Sequence, residues 1–95
     1  MKRLELIANQ SVKDELIEAL ENALPDIEYT LLPIVQGKGR RKRKEGTRTW
    51  PETNFLLISY MGEEDAVNAE AVIVKVRNLF PAEGICATLS AATII

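Results

Sequence analysis

The sequence predicts an α+β fold in the order strand, helix, strand, strand, helix, strand, the split-βαβ or ferredoxin-like pattern. Three observations predict it. Four short runs are alternating or rich in β-branched and apolar residues, and two longer runs repeat apolar residues at spacings of three and four. Their order builds an antiparallel sheet with both helices on one face. The chain of 95 residues is taken as a single domain, 1–95, since it is too short for two.

Residues 2–9 alternate, with Leu4, Leu6 and Ala8 on one face and Arg3, Glu5 and Ile7 on the other, which predicts the first strand. Ser11 is a candidate N-cap, with Asp14 three residues on as a capping-box variant. Val12, Leu16, Ala19, Leu20, Ala23 and Leu24 then form the inner stripe of a helix that Pro25-Asp26 ends. Residues 27–36 read as the second strand, with Tyr29, Leu31, Pro33 and Val35 on one face and Thr30, Leu32 and Ile34 on the other. Pro33 cannot donate to a ladder, so it predicts a sheet edge or a bulge.

Residues 54–61 form the third strand, apolar on both faces. Glu63, Glu64 and Asp65 suit the positive start of a helix, which explains them without catalysis. Ala66, Ala69, Ile73, Val76 and Phe80 make its core stripe, widened by Val67, Val72, Val74 and Leu79, and Pro81 and Gly84 end the segment. Residues 85–95 are an uncharged final strand, within which Cys86 reads as a small buried hydrophobe. Strands with apolar residues on both faces predict that the helix-free side of the sheet is covered by further copies of the chain.

Residues 37–53 interrupt this pattern with a long loop between the second and third strands. The loop has no apolar periodicity, and structureless loops of this length in compact domains are usually functional or disordered. Seven basic residues stand there against Glu45 and Glu52, a net +5, whereas the rest of the chain carries five basic and twelve acidic residues, a net −7. A basic finger on an acidic body matters more than the net charge of −2.

The composition excludes much chemistry. The chain has no histidine, which removes the commonest general base and transition-metal ligand. Its one cysteine cannot form an internal disulfide, and no apolar run approaches the ~20 residues of a membrane span, so the expected setting is cytoplasmic. No carboxylates pair with a nucleophile at a recognisable spacing, and the chain is expected not to be an enzyme.

The candidate binding residues all belong to the loop and its base: Gly37, Lys38, Gly39, Arg40, Arg41, Lys42, Arg43, Lys44, Arg48, Trp50, Glu52 and Asn54. The glycines allow tight turns and close backbone approach, but their spacing matches neither a P-loop nor a dinucleotide fingerprint. The basic run reads either as a solvated loop or as a binder of phosphates, nucleic acid or an acidic protein surface. Nucleic acid is disfavoured, because no aromatic residue interleaves the run to stack bases. Trp50 is either a lid over the loop base or a binding anchor.

With the loop in this position, the chain resembles the PII family of trimeric signalling proteins. The resemblance rests on the βαββαβ order, on Val35-x-Gly37-x-Gly39-Arg40 where the loop begins, and on chain size. The closing Trp50-Pro51-Glu52-x-Asn54 is more similar to shortened PII-like relatives than to the nitrogen-regulating members. The resemblance implies a homotrimer whose loop, the T-loop of that family, changes conformation with a small anionic ligand or nucleotide. It also implies docking on a membrane transporter or another regulated protein. Classical members grip nucleotide phosphates with a Gly- and Lys-rich loop before the last strand, and here that stretch is Pro81-Ala82-Glu83-Gly84. The classical ATP-site residues are therefore absent, and the cofactor stays open. Two alternatives stand beside this expectation: a basic hairpin that binds nucleic acid, and a protein similar to the CutA-type divalent-metal tolerance proteins. The lack of histidine weighs against a similar copper site.

Overall fold

Strand β1 (Lys2–Asn9), helix α1 (Lys13–Ala23), strands β2 (Thr30–Gly37) and β3 (Glu52–Met61), helix α2 (Glu63–Leu79) and strand β4 (Ile85–Ala91) follow in that order. The structure, a computed structural model, describes residues 1–38 and 52–95. The sheet runs β2-β3-β1-β4 with every neighbouring pair antiparallel, which is the ferredoxin-like arrangement the sequence predicts.

Strict alternation in β1 drives Leu4, Leu6 and Ala8 into the core. Phe55, Leu57 and Met61 of β3 line the same side, and Val12, Leu16, Leu20, Leu24, Ala66, Ala69, Ile73 and Val76 close over them from the helical layer. Ser59 is the buried polar residue on this face, and its hydroxyl donates to the Glu28 carbonyl at 2.6 Å. That bond satisfies the hydroxyl and pins the approach to β2 against the centre of the sheet. Acidic Glu63, Glu64 and Asp65 occupy the first turn of α2, where the helix dipole favours them.

The opposite face carries no helix. Cross-strand register places Leu32, Val35, Leu56, Ile58, Tyr60, Ile7 and Cys86 there, beside Arg3 and Glu5. Arg3 donates to Glu5 at 3.0 Å, and its pKa is raised by that bond and then by one with Tyr60.

Strand β2 is an edge, as Pro33 predicts, and it also bulges. Leu32 pairs with Leu56 and Val35 with Asn54, so Pro33 and Ile34 together oppose the single residue Phe55. The extra residue moves Val35 to the face of Leu32, which corrects the strict alternation read from the sequence.

Other expectations are corrected too. Ser11 does not cap α1: a 3-10 turn, Gln10–Val12, intervenes, and Asn9 caps it by accepting from the Ser11 N–H at 2.9 Å. The Ser11 hydroxyl instead donates to the Glu83 carboxylate at 2.7 Å. Cys86 is exposed, because β4 is the other edge strand and Cys86 alternates away from the helices. Val67 and Leu79 lie outside the core, 66% and 68% exposed, because the α2 stripe that meets the sheet is narrow. Ala23 is also exposed, and Phe80 is only partly buried against the core. The last strand stops at Ala91, paired with Lys2, and a final bond joins the Ala92 N–H to the Met1 carbonyl.

Candidate functional site

The candidate site begins where β2 and β3 converge. Among the described residues three rungs follow the bulge: Val35 with Asn54, Gln36 with Thr53, and Gly37 with Glu52. Gly37 with Glu52 is the last rung among the described residues. Residues 37, 52 and 53, read as loop, belong to the strands, and Lys38 is exposed just beyond β2. Gly39, Arg40, Arg41, Lys42, Arg43, Lys44, Arg48 and Trp50 lie outside the described residues. The structure thus brings together Gly37, Lys38, Glu52 and Asn54 at the base.

Gly37 and Asn54 meet directly. A Cβ at position 37 would overlap the Asn54 amide nitrogen, so the glycine leaves the space that the asparagine side chain fills. Gly37 has ordinary extended backbone, and its role here is steric rather than conformational.

One contributor to the base was missing from the sequence reading. The Gln10 side-chain amide donates to the Pro33 carbonyl on β2 and, at 3.0 Å, to the Asn54 carbonyl on β3. Gln10 sits in the 3-10 turn after β1, and its partners are 23 and 44 residues away in sequence. No local pattern marks such a contact. The only available signal was Pro33 itself, whose missing N–H implies that something else must complete the hydrogen bonding nearby.

The connection between α2 and β4 is tied to the same turn. The Asn9 N–H donates to the Gly84 carbonyl at 3.0 Å, and Glu83 accepts from Ser11. This connection presents a carboxylate rather than a lysine, which disfavours phosphate there. On the helical face, at the β4 edge of the sheet, a groove of about 260 Å³ lies between α2 and β4, lined by Leu4, Ile73 and Leu89 and flanked by Glu70 and Arg77. Among the described residues no group of three or more His, Cys, Asp or Glu side chains is placed to hold a metal ion, and no helix is long and apolar enough to cross a membrane.

No protein-family model matches the chain, and no curated protein matches it. Solved structures do match in fold. A PII-like signalling protein of Thermus thermophilus superposes with a TM-score of 0.65 at 20% identity, covering 94% of this chain and 83% of that one. The nitrogen regulatory PII-like protein CPII of Thiomonas intermedia, in a structure bound to ADP, AMP and bicarbonate, gives a TM-score of 0.66 at 21% identity, covering 94% of this chain and 82% of that one. A de novo designed protein, Foldit4, also matches, with a TM-score of 0.59 at 11% identity over 97% of this chain and 98% of its own. The fold is thus the one found in PII-like signalling proteins, and a designed protein also adopts it, so function has to be argued from the site.

Proposed function

We propose that this chain is a PII-like regulatory protein, not an enzyme, that binds an anionic ligand or an acidic protein surface through its basic segment. One observation carries the proposal. Residues 37–53, which join β2 to β3 in a sheet whose fold is that of PII-like signalling proteins, carry a net +5, while the remainder of the chain carries −7. Concentrated positive charge steers and holds anions, and an acidic body cannot replace it. Arg40, Arg41, Lys42, Arg43, Lys44 and Arg48 supply charge, Gly37 and Gly39 frame its start, and Trp50 anchors the ligand.

The bicarbonate and adenine nucleotides in the CPII structure define the ligand class to try first. Glu83 weighs against a phosphate grip in the α2–β4 connection, so the basic segment would have to supply the charge. The apolar helix-free face would be covered by other copies, as a homotrimer, leaving the segments free to dock on a transporter or another regulated protein in the cytoplasm.

The test is a paired measurement on the variant R41A/K42A/R43A. Thermal unfolding and light scattering should match the wild type, since the three residues belong to none of the apolar stripes of the sequence, and substitutions away from such features shift stability by no more than ~0.5 kcal/mol. Binding of ADP, bicarbonate and an oligoglutamate peptide should be lost. A stable variant that binds all of them as the wild type does, or a wild type that binds none, would refute the proposal.

A further inference from the structure

The two edges of the sheet differ in kind. Strand β4 spans Ile85–Ala91 without charge or proline, and it pairs with β1 without a register shift. Edge strands are usually blunted by charge, proline or a bulge, because unpaired N–H and C=O groups invite another strand. Beside this edge, on the helical face, lies the groove of about 260 Å³, walled by Val74 of α2 and Ala87 of β4 and flanked by Glu70 and Arg77. At the other edge β2 carries the reverse shape. Pro33 and Ile34 oppose Phe55, which is buried beneath the helices, so the bulge lies on the helical side too. Ile34 is 72% exposed there.

A knob on one edge and a hole on the other, on the same side of one sheet, suit a head-to-tail contact between copies. Strand direction agrees. Strand β3 is antiparallel to β2 and to β1, and β4 is antiparallel to β1, so β2 and β4 run in opposite directions. A copy rotated about an axis along the strands presents its β4 antiparallel to the first copy's β2. Register agrees as well. Ile34 stands on the row of Phe55, Ala8 and Ile85, and the groove reaches Leu89, further along β4. Strands of a closed sheet tilt by roughly 35–45°, and over four strands spaced roughly 4.8 Å this shifts the register by roughly four to six residues. With right-handed twist and a right-handed β1–α1–β2 crossover, the shift runs toward the C-terminal end of β4. It carries Ile34 from the row of Ile85 to that of Leu89 in the next copy.

We infer that the Pro33–Ile34 bulge of one copy seats in the α2–β4 groove of the next. The inference rests on the homotrimer proposed above and adds a lateral contact to its helix-free face. Ile34 is the apolar anchor, and Glu70 and Arg77 form the polar rim around it.

The experiment traps the contact with cysteines, in a Cys86→Ser background that removes the exposed native thiol. Ile34→Cys marks the bulge, and Val74→Cys and Ala87→Cys mark the two walls of the groove. Within one chain the bulge and the groove stand at opposite edges, three strand spacings or roughly 14 Å apart. A disulfide tolerates a Cα separation of only ~7 Å, so no bridge can form inside a chain. Ile34→Cys chains refolded together with either wall variant and oxidised should give disulfide-linked pairs on a non-reducing gel. Each variant alone should stay a single chain. The double variant Ile34→Cys/Ala87→Cys should give a ladder that stops at three chains.

Independently, Ile34→Asp should keep the wild-type circular dichroism, because the side chain is exposed. It should raise the concentration at which the assembly dissociates by roughly tenfold or more, because a carboxylate would enter an apolar groove. Single variants that link to themselves would show a symmetric contact and overturn the inference, as would an Ile34→Asp chain that associates as the wild type does. A wild type that scatters as several chains but yields no mixed pairs removes this contact and leaves the homotrimer standing. A wild type that scatters as one 10.6 kDa chain removes both.

Discussion

Replacing Gly37 with alanine tests the packing at the base of the basic segment. A new Cβ would overlap the Asn54 amide nitrogen, so either Asn54 leaves its rotamer or the last rungs spread. An off-rotamer side chain costs about 0.5–1.5 kcal/mol. Alanine also restricts the unfolded chain, which stabilises by about 0.4–1 kcal/mol wherever the native backbone accepts it. Gly37 sits in extended strand, so that gain is available here. In the wild type the two effects should roughly cancel. With Asn54→Ala the obstacle is gone and Gly37→Ala should stabilise by about 0.4–1 kcal/mol. A double-mutant cycle by urea unfolding, at fixed protomer concentration, should give a coupling energy of about 1 kcal/mol. Equal effects of Gly37→Ala in both backgrounds would refute the contact.

Other outcomes follow from the same structure. Leu16 is fully buried, so Leu16→Ala should cost about 2–5 kcal/mol in chemical denaturation, whereas exposed Val67→Ala should stay within about 0.5 kcal/mol. On the helix-free face, the pair Leu56→Lys and Ile58→Lys should leave the far-ultraviolet circular dichroism intact and reduce the mass in light scattering to that of one 10.6 kDa chain. A wild type that already scatters as one chain contradicts the covered-face proposal. Tyr29 donates to Glu21 at 2.8 Å, and this bond, then burial, raises the phenol pKa. The protonated phenol is favoured in the folded state, so its contribution to stability is fully present below the ordinary value of 10.0 and is lost as pH rises through the higher folded value. Ultraviolet titration should show this tyrosine ionising later in the wild type than in Glu21→Gln.

The sequence was most legible where a single physical rule governed a segment. Strict alternation in β1 predicted both its limits and its inward residues, and the α1 stripe Val12, Leu16, Leu20 and Leu24 is buried as its spacing implies. Pro33 announced an edge or a bulge, and both are present, but a missing N–H cannot say which neighbour gains the extra residue, so Val35 was assigned to the wrong face. Cap assignment failed where two good candidates stood close together. Asn9 caps a 3-10 turn first and leaves Ser11 free to reach Glu83. The uncharged run after Gly84 predicted a strand but not its place at the sheet edge, and that place exposes Cys86. Gln10 was illegible because its partners are brought near only by the fold. The segment's charge is legible from composition alone, and the two strands that carry it could be found from their apolar patterns.

The most direct test of the account is to replace residues 40–48 with a Gly-Ser stretch of equal length in the full chain, and to measure oligoglutamate binding by calorimetry across a salt series. The account predicts that wild-type binding weakens steadily with salt, and that the replaced chain keeps its unfolding temperature and mass but shows no binding heat. A replaced chain that binds as the wild type does would place the binding surface on the acidic body and contradict the account.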